Sequence, residues 1–387
     1  MTPDALLDPL GVERFLTQYW QQQPLHLPQA WPEPPVMLEA DELAGLATAP
    51  DMASQIVMGD TAAEDWMLID GPVTETFFSD TPDTDWHLTV QAVDRHVPAC
   101  YRLREPFRFL ADWRFDAVAG CYAAPGGTRG PDSDDADVFI LQVSGEQDWT
   151  LQWPGNDAPD DTEQVSTQTL QIRTQPGDLI YIPPGVDRYG TALTDSLSYC
   201  IRFRAPTLSE LFLAWAHDHA RQLDDGAPIV ATDGDQGAPG DLRPALLDTL
   251  RERLQAAISS SETSIEAWLP AYLTTPTEAI EPVSSTTPET PEAIEAALTH
   301  GRELVVNPAS RLAVSRRDPD HPRLFVDGRE QPEGVHAPGF MERLSAARRI
   351  TAKDLAGLAS DSRRAGVRLL LTGFRSGWLV FDDELGG

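Results

Sequence analysis

Residues 123–204 constrain most tightly what this chain can fold into. An apolar run at 138–143 meets a turn at Ser144-Gly145, and a second run passes through Trp149 and Trp153. Pro176-Gly177-Asp178 then turns the chain into Leu179–Ile182, which Pro183-Pro184-Gly185 stops; a last run, 197–203, alternates apolar with polar residues. Short runs rich in β-branched and aromatic residues, punctuated by Gly and Pro, predict antiparallel strands. Several such strands in close succession build a double-sheet jelly roll, so the expected fold class is mainly β with added helices.

The motifs inside this stretch are more specific than its rhythm. Pro125-Gly126-Gly127 is followed by Gly130-Pro131, Asp134 and Asp137-Val138-Phe139; Gly145 precedes Trp149 by four; Tyr181-Ile182-Pro183-Pro184-Gly185 follows the Pro-Gly-Asp turn; Phe203-Arg204-Ala205-Pro206 closes the segment. Together they resemble the bacterial JmjC-type (cupin) ribosomal oxygenases, the 50S ribosomal-protein arginine hydroxylase family. The resemblance extends over nearly the whole chain, including residues 88–99 and 107–116. It implies a double-stranded β-helix of the JmjC type, a helical dimerisation region and a winged-helix-like C-terminal domain. It also implies Fe(II) and 2-oxoglutarate chemistry on an arginine of a ribosomal protein.

That chemistry requires two imidazoles and one carboxylate on one face of iron, with open positions for 2-oxoglutarate and oxygen. In the family pattern these come from an H-x-D motif and a second His after the IPPG turn. This chain carries Asp132-Ser133-Asp134 at the first place and Arg188 at the second, so only the carboxylate, Asp134, is retained. The family's basic residue for the far carboxylate of 2-oxoglutarate, two positions before the tryptophan, is here Gln147. A neutral amide cannot reproduce the charge-assisted grip of a guanidinium or ammonium.

By formal counting, two neutral His, one Asp and Fe(II) carry about one positive charge, whereas Asp132, Asp134 and Arg188 carry about one negative. Carboxylates left without their metal need another cation. The expectation is therefore that Arg188 takes the vacated iron position and pairs with Asp132, Asp134 or both. No cofactor is expected; Fe(II) and 2-oxoglutarate are expected only if residues elsewhere in the chain repair the site, and Asp134 is the ligand if any metal binds. Two other readings stay open. Asp132, Asp134, Asp135 and Asp137 could form a solvated acidic loop, or they could hold a hard cation such as Mg or Ca. His87 and His96 are the histidines placed to approach the barrel, although a single His on a strand usually has a structural role.

The chain has 387 residues, a formal net charge of −32 and a single lysine, Lys353. Such an acid-rich, lysine-poor surface suits high ionic strength, where screening tolerates self-repulsion, and it disfavours nonspecific nucleic-acid binding. Three widely spaced cysteines, Cys100, Cys121 and Cys200, form no CxxC and predict reduced core thiols. No secretory signal or membrane-spanning run is visible, so a cytoplasmic location is expected.

The expected domains are a JmjC/cupin domain over 1–205, a helical dimerisation domain over 206–275, a linker over 276–290 and a winged-helix-like domain over 291–387. Thr207 and Glu210 form a capping box before an apolar-faced helix. Leu246, Leu247, Leu250, Leu254 and Ile258 form a stripe at helical spacing, and an apolar face on so acidic a chain requires a cover, which the resemblance assigns to a homodimer. Residues 224–241 read as a further linker. In the last domain a hairpin pairs 311–316 with 323–326, and Asp327-Gly328 marks a tight turn. Arg343, Arg348, Arg349, Arg363 and Arg364 make this end locally basic. A protein, with a ribosomal protein first, is nonetheless the expected partner rather than nucleic acid.

Overall fold

A computed structural model describes residues 1–60, 65–155, 167–221, 244–259, 262–276, 290–331 and 338–384. The chain divides into two compact units, Met1–Ala205 with the last residues from Asp383, and Pro206–Asp382. The linker expected over 224–241 and nearly all of that over 276–290 lie outside the described residues.

The first unit contains twelve strands: β1 (Leu25–Leu27), β2 (Ser54–Asp60), β3 (Asp65–Asp70), β4 (Trp86–Val90), β5 (Phe115–Ala123), β6 (Thr128–Asp132), β7 (Asp137–Ser144), β8 (Gln147–Pro154), β9 (Thr167–Thr174), β10 (Leu179–Ile182), β11 (Asp187–Ala192) and β12 (Ser196–Phe203). One sheet has eight strands in the order β1-β10-β7-β12-β5-β4-β2-β3, the other four in the order β6-β11-β8-β9. All described pairings in them are antiparallel. Two facing antiparallel sheets form the expected jelly roll.

β7 explains why the layers stack as they do. Phe139, Leu141 and Val143 point into a core shared with the N-terminal helical layer, against Leu6, Phe15 and Phe107. Val138 and Ile140 point the opposite way, into the barrel interior with Trp149, Leu151, Ile180 and Ile182. A strand covered on both faces reads as a continuous apolar run rather than an alternation. The Ser144-Gly145 turn needs glycine: φ is +68° at Gly145, and a Cβ there would stand 2.0 Å from the Asp195 carbonyl oxygen.

In the second unit, β13 (Leu304–Val306), β14 (Leu312–Ser315), β15 (Arg323–Val326), β16 (Arg329–Gln331), β17 (Arg349–Ile350) and β18 (Leu379–Phe381) form two three-stranded sheets. β14 pairs β15 as the hairpin reading expects, and Asp327-Gly328, both with positive φ, turns into β16. Residues 368–372 lie inside the helix Ser360–Arg375. Thr207 and Glu210 make their reciprocal capping contacts at the helix Leu208–Ala220. Among the described residues, no helix is long and apolar enough to cross a membrane.

Candidate functional site

β6 and β11 bring the sequence-selected residues together. Arg188 stands opposite Asp132 in the strand register, which places the guanidinium across the pair from the carboxylate. Arg188 is 3 % exposed, and it meets Asp132 as a fork, Nε donating to Oδ1 at 3.2 Å and Nη2 to Oδ2 at 3.1 Å. Nη2 also reaches Asp134 Oδ2 at 3.5 Å, and a Gly185 N–H binds the Asp134 carbonyl, tying the IPPG turn to the acidic loop. Two parallel N–H···O bonds fix orientation as well as charge.

Arg202 extends this cluster and was not singled out in the sequence. Its Nη2 donates to Asp134 Oδ1 at 2.9 Å, and its Nε lies 3.8 Å from Asp116 Oδ2. The only signal for it was its polar position in the alternating run of β12, which reads equally as solvent-facing. The formal charge of Asp132, Asp134 and Arg188 is about one negative, and Arg202 brings that group to neutrality.

Asp132 and Asp135 are exposed and Asp134 is partly so, as a solvated loop would have them, but Asp137 is not. Asp137 is buried, accepting from Tyr181 Oη at 2.5 Å and Gln21 Nε2 at 3.0 Å, and Asp135 pairs with Arg204 at 3.1 Å. Asp132 and Asp134 are committed to arginines. Among the described residues, no three His, Cys, Asp or Glu side chains converge so as to hold a metal ion; the hard-cation reading gains no cluster there.

Gln147 opens β8 opposite Ala192, four residues along β11 from Arg188, or roughly 13 Å at about 3.3 Å per residue. It is buried, and its Nε2 donates to Ser196 Oγ at 2.7 Å. Gln142 Nε2 donates to the same hydroxyl at 2.7 Å, and Thr174 Oγ1 donates to Gln142 Oε1 at 3.2 Å. An amide–hydroxyl network therefore fills this position, without a formal charge.

His87 is buried, and burial, then the nearby Arg129 charge, hold its ring down at about 3, so it is neutral in any ordinary buffer. His96 lies at the end of the short helix Val93–His96, 3.9 Å from Asp51. Gly190 follows Arg188 by two on β11; a Cβ there would come 2.8 Å from the Trp149 ring, so only glycine lets the indole lie over the strand.

Burial alone would raise the Asp132 carboxyl, but the Arg188 charge and its hydrogen bond outweigh it and hold the group below the ordinary carboxylate range. The sign follows. A native carboxyl with a lowered pKa binds fewer protons than the unfolded chain, so its contribution is complete above the unfolded value and is lost as pH falls through the folded one. Asp132→Asn should therefore flatten the fall in stability below roughly pH 4, read as the urea midpoint across a pH series.

With this geometry in hand, comparison with known proteins is decisive. The ribosomal protein uL16 3-hydroxylase of Escherichia coli (strain K12) is 30% identical over 357 residues, covering 90% of this chain and 92% of that protein. This chain belongs to the ribosomal oxygenases. Residues 102–211 match the JmjC domain family and 252–379 the ROXA-like winged helix, in agreement with the fold expected from the motifs. The structure of YcfD, a ribosomal oxygenase from Escherichia coli, in complex with cobalt and succinic acid superimposes with a TM-score of 0.76 at 27% identity, over 96% of this chain and 98% of that one. A YcfD complex with cobalt and 2-oxoglutarate gives the same TM-score at 26% identity, with the same coverage. Ribosomal oxygenase 2 of Rattus norvegicus is 25% identical over 200 residues, 47% of this chain and 42% of that protein.

Proposed function

We propose that this ribosomal oxygenase relative has lost oxygenase chemistry and acts as a binding or scaffold protein, with a ribosomal protein as its partner. The observation that carries the reading is Arg188, buried and forked onto Asp132 where the family pattern requires an iron-binding imidazole. A guanidinium has donors only and stays charged, so it cannot ligate a cation and repels one. Relatives in the family have been solved with cobalt and 2-oxoglutarate. The donor set here does not fit such a group: two carboxylates engaged by arginines, no imidazole hydrogen-bonded to them among the described residues, with buried His87 acting on Asp132 only through its field, and an uncharged Gln147 network at the 2-oxoglutarate anchor. The test is turnover. Supplied with Fe(II), ascorbate, 2-oxoglutarate and ribosomal-protein fragments containing arginine, the full chain should form no succinate above the buffer blank. Succinate formed together with arginine hydroxylation would instead make it an Fe(II)/2-oxoglutarate hydroxylase with atypical ligands.

The partner surfaces favour protein over nucleic acid. The five arginines near the C-terminal end are engaged: Arg343 with Asp354, Arg349 with Glu303 and Asp382, Arg363 with Glu295, Arg364 with Asp361, while buried Arg348 donates to the Ser310 carbonyl at 2.8 Å. Groove binding draws on free basic side chains. The helix Leu208–Ala220 exposes Leu208 by 82%, Phe212 by 55% and Leu213 by 68%, and Leu247, Leu254 and Ile258 are exposed on the helix Pro244–Ser259. A homodimer would cover these faces. Light scattering should give twice the chain mass, and Phe212→Asp should shift the protein toward monomer without unfolding it.

A further inference from the structure

Inside the barrel, Arg129 on β6 is paired in register with Gly190, which has no side chain to meet it. Its guanidinium reaches the facing sheet instead, where Nη1 lies 3.1 Å from Cys200 Sγ on β12 and 3.4 Å from Cys121 Sγ on β5. The two sulfurs are 3.6 Å apart, and both residues are buried. Among the described residues, these sulfurs are the hydrogen-bond acceptors of Arg129; Asp132 acts on it only at longer range.

A guanidinium keeps its proton at every pH a protein meets, so one half-buried with its head against two buried sulfurs favours an anion there. Neutral thiols are weak acceptors; a thiolate is a strong one. We propose that Cys121 and Cys200 hold one proton between them, the Cys200 thiolate serving as counterion to Arg129, and that this pair is a peroxide-reactive modification site. The surroundings agree. The Cys121 hydrogen bond, and against burial the Arg129 and Arg188 charges, pull the Cys200 thiol down, while the same hydrogen bond and burial push Cys121 up. The strands flanking the pair add no further charge: Ile140 of β7 lies opposite Cys200, and Thr89 of β4 lies opposite Cys121. His87, on the same face of β4 as Thr89, is neutral.

The chemistry balances with hydrogen peroxide as oxidant. The Cys200 thiolate attacks one peroxide oxygen; an S–O bond forms, the O–O bond breaks, and the departing hydroxide takes a proton to become water. The Cys121 sulfur then attacks the sulfenic sulfur, forming S–S and releasing the second water. The thiols lose two electrons and peroxide is reduced to two waters. Both sulfurs are buried, so hydrogen peroxide, the smaller reagent, is the oxidant in place of a bulky disulfide such as oxidised glutathione. Oxidation also removes the anion beside Arg129, so the oxidised barrel should be less stable. This inference is independent of the loss of oxygenase chemistry.

The full chain tests it directly. Thiolate ultraviolet absorbance at pH 7 should correspond to one thiolate per chain and disappear on acidification at a pH below the ordinary thiol range. Cys200→Ser should lack it and Cys100→Ser should keep it, since burial pushes the Cys100 thiol up to about 12. Arg129→Gln should move the titration above pH 7. Peroxide should remove two hydrogens from the wild-type mass, whereas Cys121→Ser should gain one oxygen in a form that dimedone traps. Wild-type absorbance at pH 7 no greater than fully protonated thiols give, or thiols inert to peroxide, would overturn the proposal, and both are read on the unmutated protein.

Discussion

Arg188→Met should lower the stability of the first unit by about 3 kcal/mol, the lower end of what breaking a buried ion pair costs. The substitution keeps the stem's apolar volume and removes the charge, leaving Asp132 without its fork and Asp134 with Arg202 and the Ala136 N–H. The estimate sits low because Asp132 is 46% exposed and water can recover part of its solvation. In a unit of this size the loss corresponds to a Tm lower by roughly 6–12 °C. A cycle with Asp132→Asn separates pair from context: the double variant should be less destabilised than the sum of the singles by about 1 kcal/mol or more. Additive singles would mean that the fork contributes nothing.

The opposite substitution should have the larger functional effect. Asp132→His together with Arg188→His returns imidazoles to both positions of the family pattern and removes the repelling guanidinium, leaving Asp134 as the carboxylate. Mn(II) affinity should rise by at least about a thousandfold over the wild type, or ~4 kcal/mol. Adding Gln147→Arg should then make 2-oxoglutarate binding dependent on the metal. Calorimetry reads both. A double variant that binds Mn(II) no better than wild type would mean that these residues do not stand where the family's ligands stand.

The turns and the doubly covered strands were legible because Gly, Pro and unbroken apolar runs report local backbone and burial together. β7 and β10 are plain in the sequence for this reason. β11 is not: Asp187–Ala192 carries two charges, a tyrosine and a glycine and no apolar run, yet it is the strand that holds Arg188. β9 was missed as well, since a mixed polar strand is defined by its neighbours' pairing, and so was β5, whose Ala and Gly carry little β-branched signal. At the site, the departures at residues 132, 147 and 188 were readable only against the pattern of the family that the motifs resemble. Arg202 and Arg129 were not, because a polar residue on an alternating strand looks solvent-facing until the barrel closes over it. Cys121 and Cys200, 79 residues apart, were read only as core thiols; nothing local signals that they meet beneath a guanidinium.

The central claim is that an arginine stands where the family pattern places iron-bound imidazole. Titration of the wild-type chain with Mn(II), with and without 2-oxoglutarate, tests it most directly. The account predicts no saturable heat from either ligand and an electron paramagnetic resonance signal for Mn(II) that stays that of the hydrated ion. Stoichiometric Mn(II) binding that in turn brings in 2-oxoglutarate would contradict it.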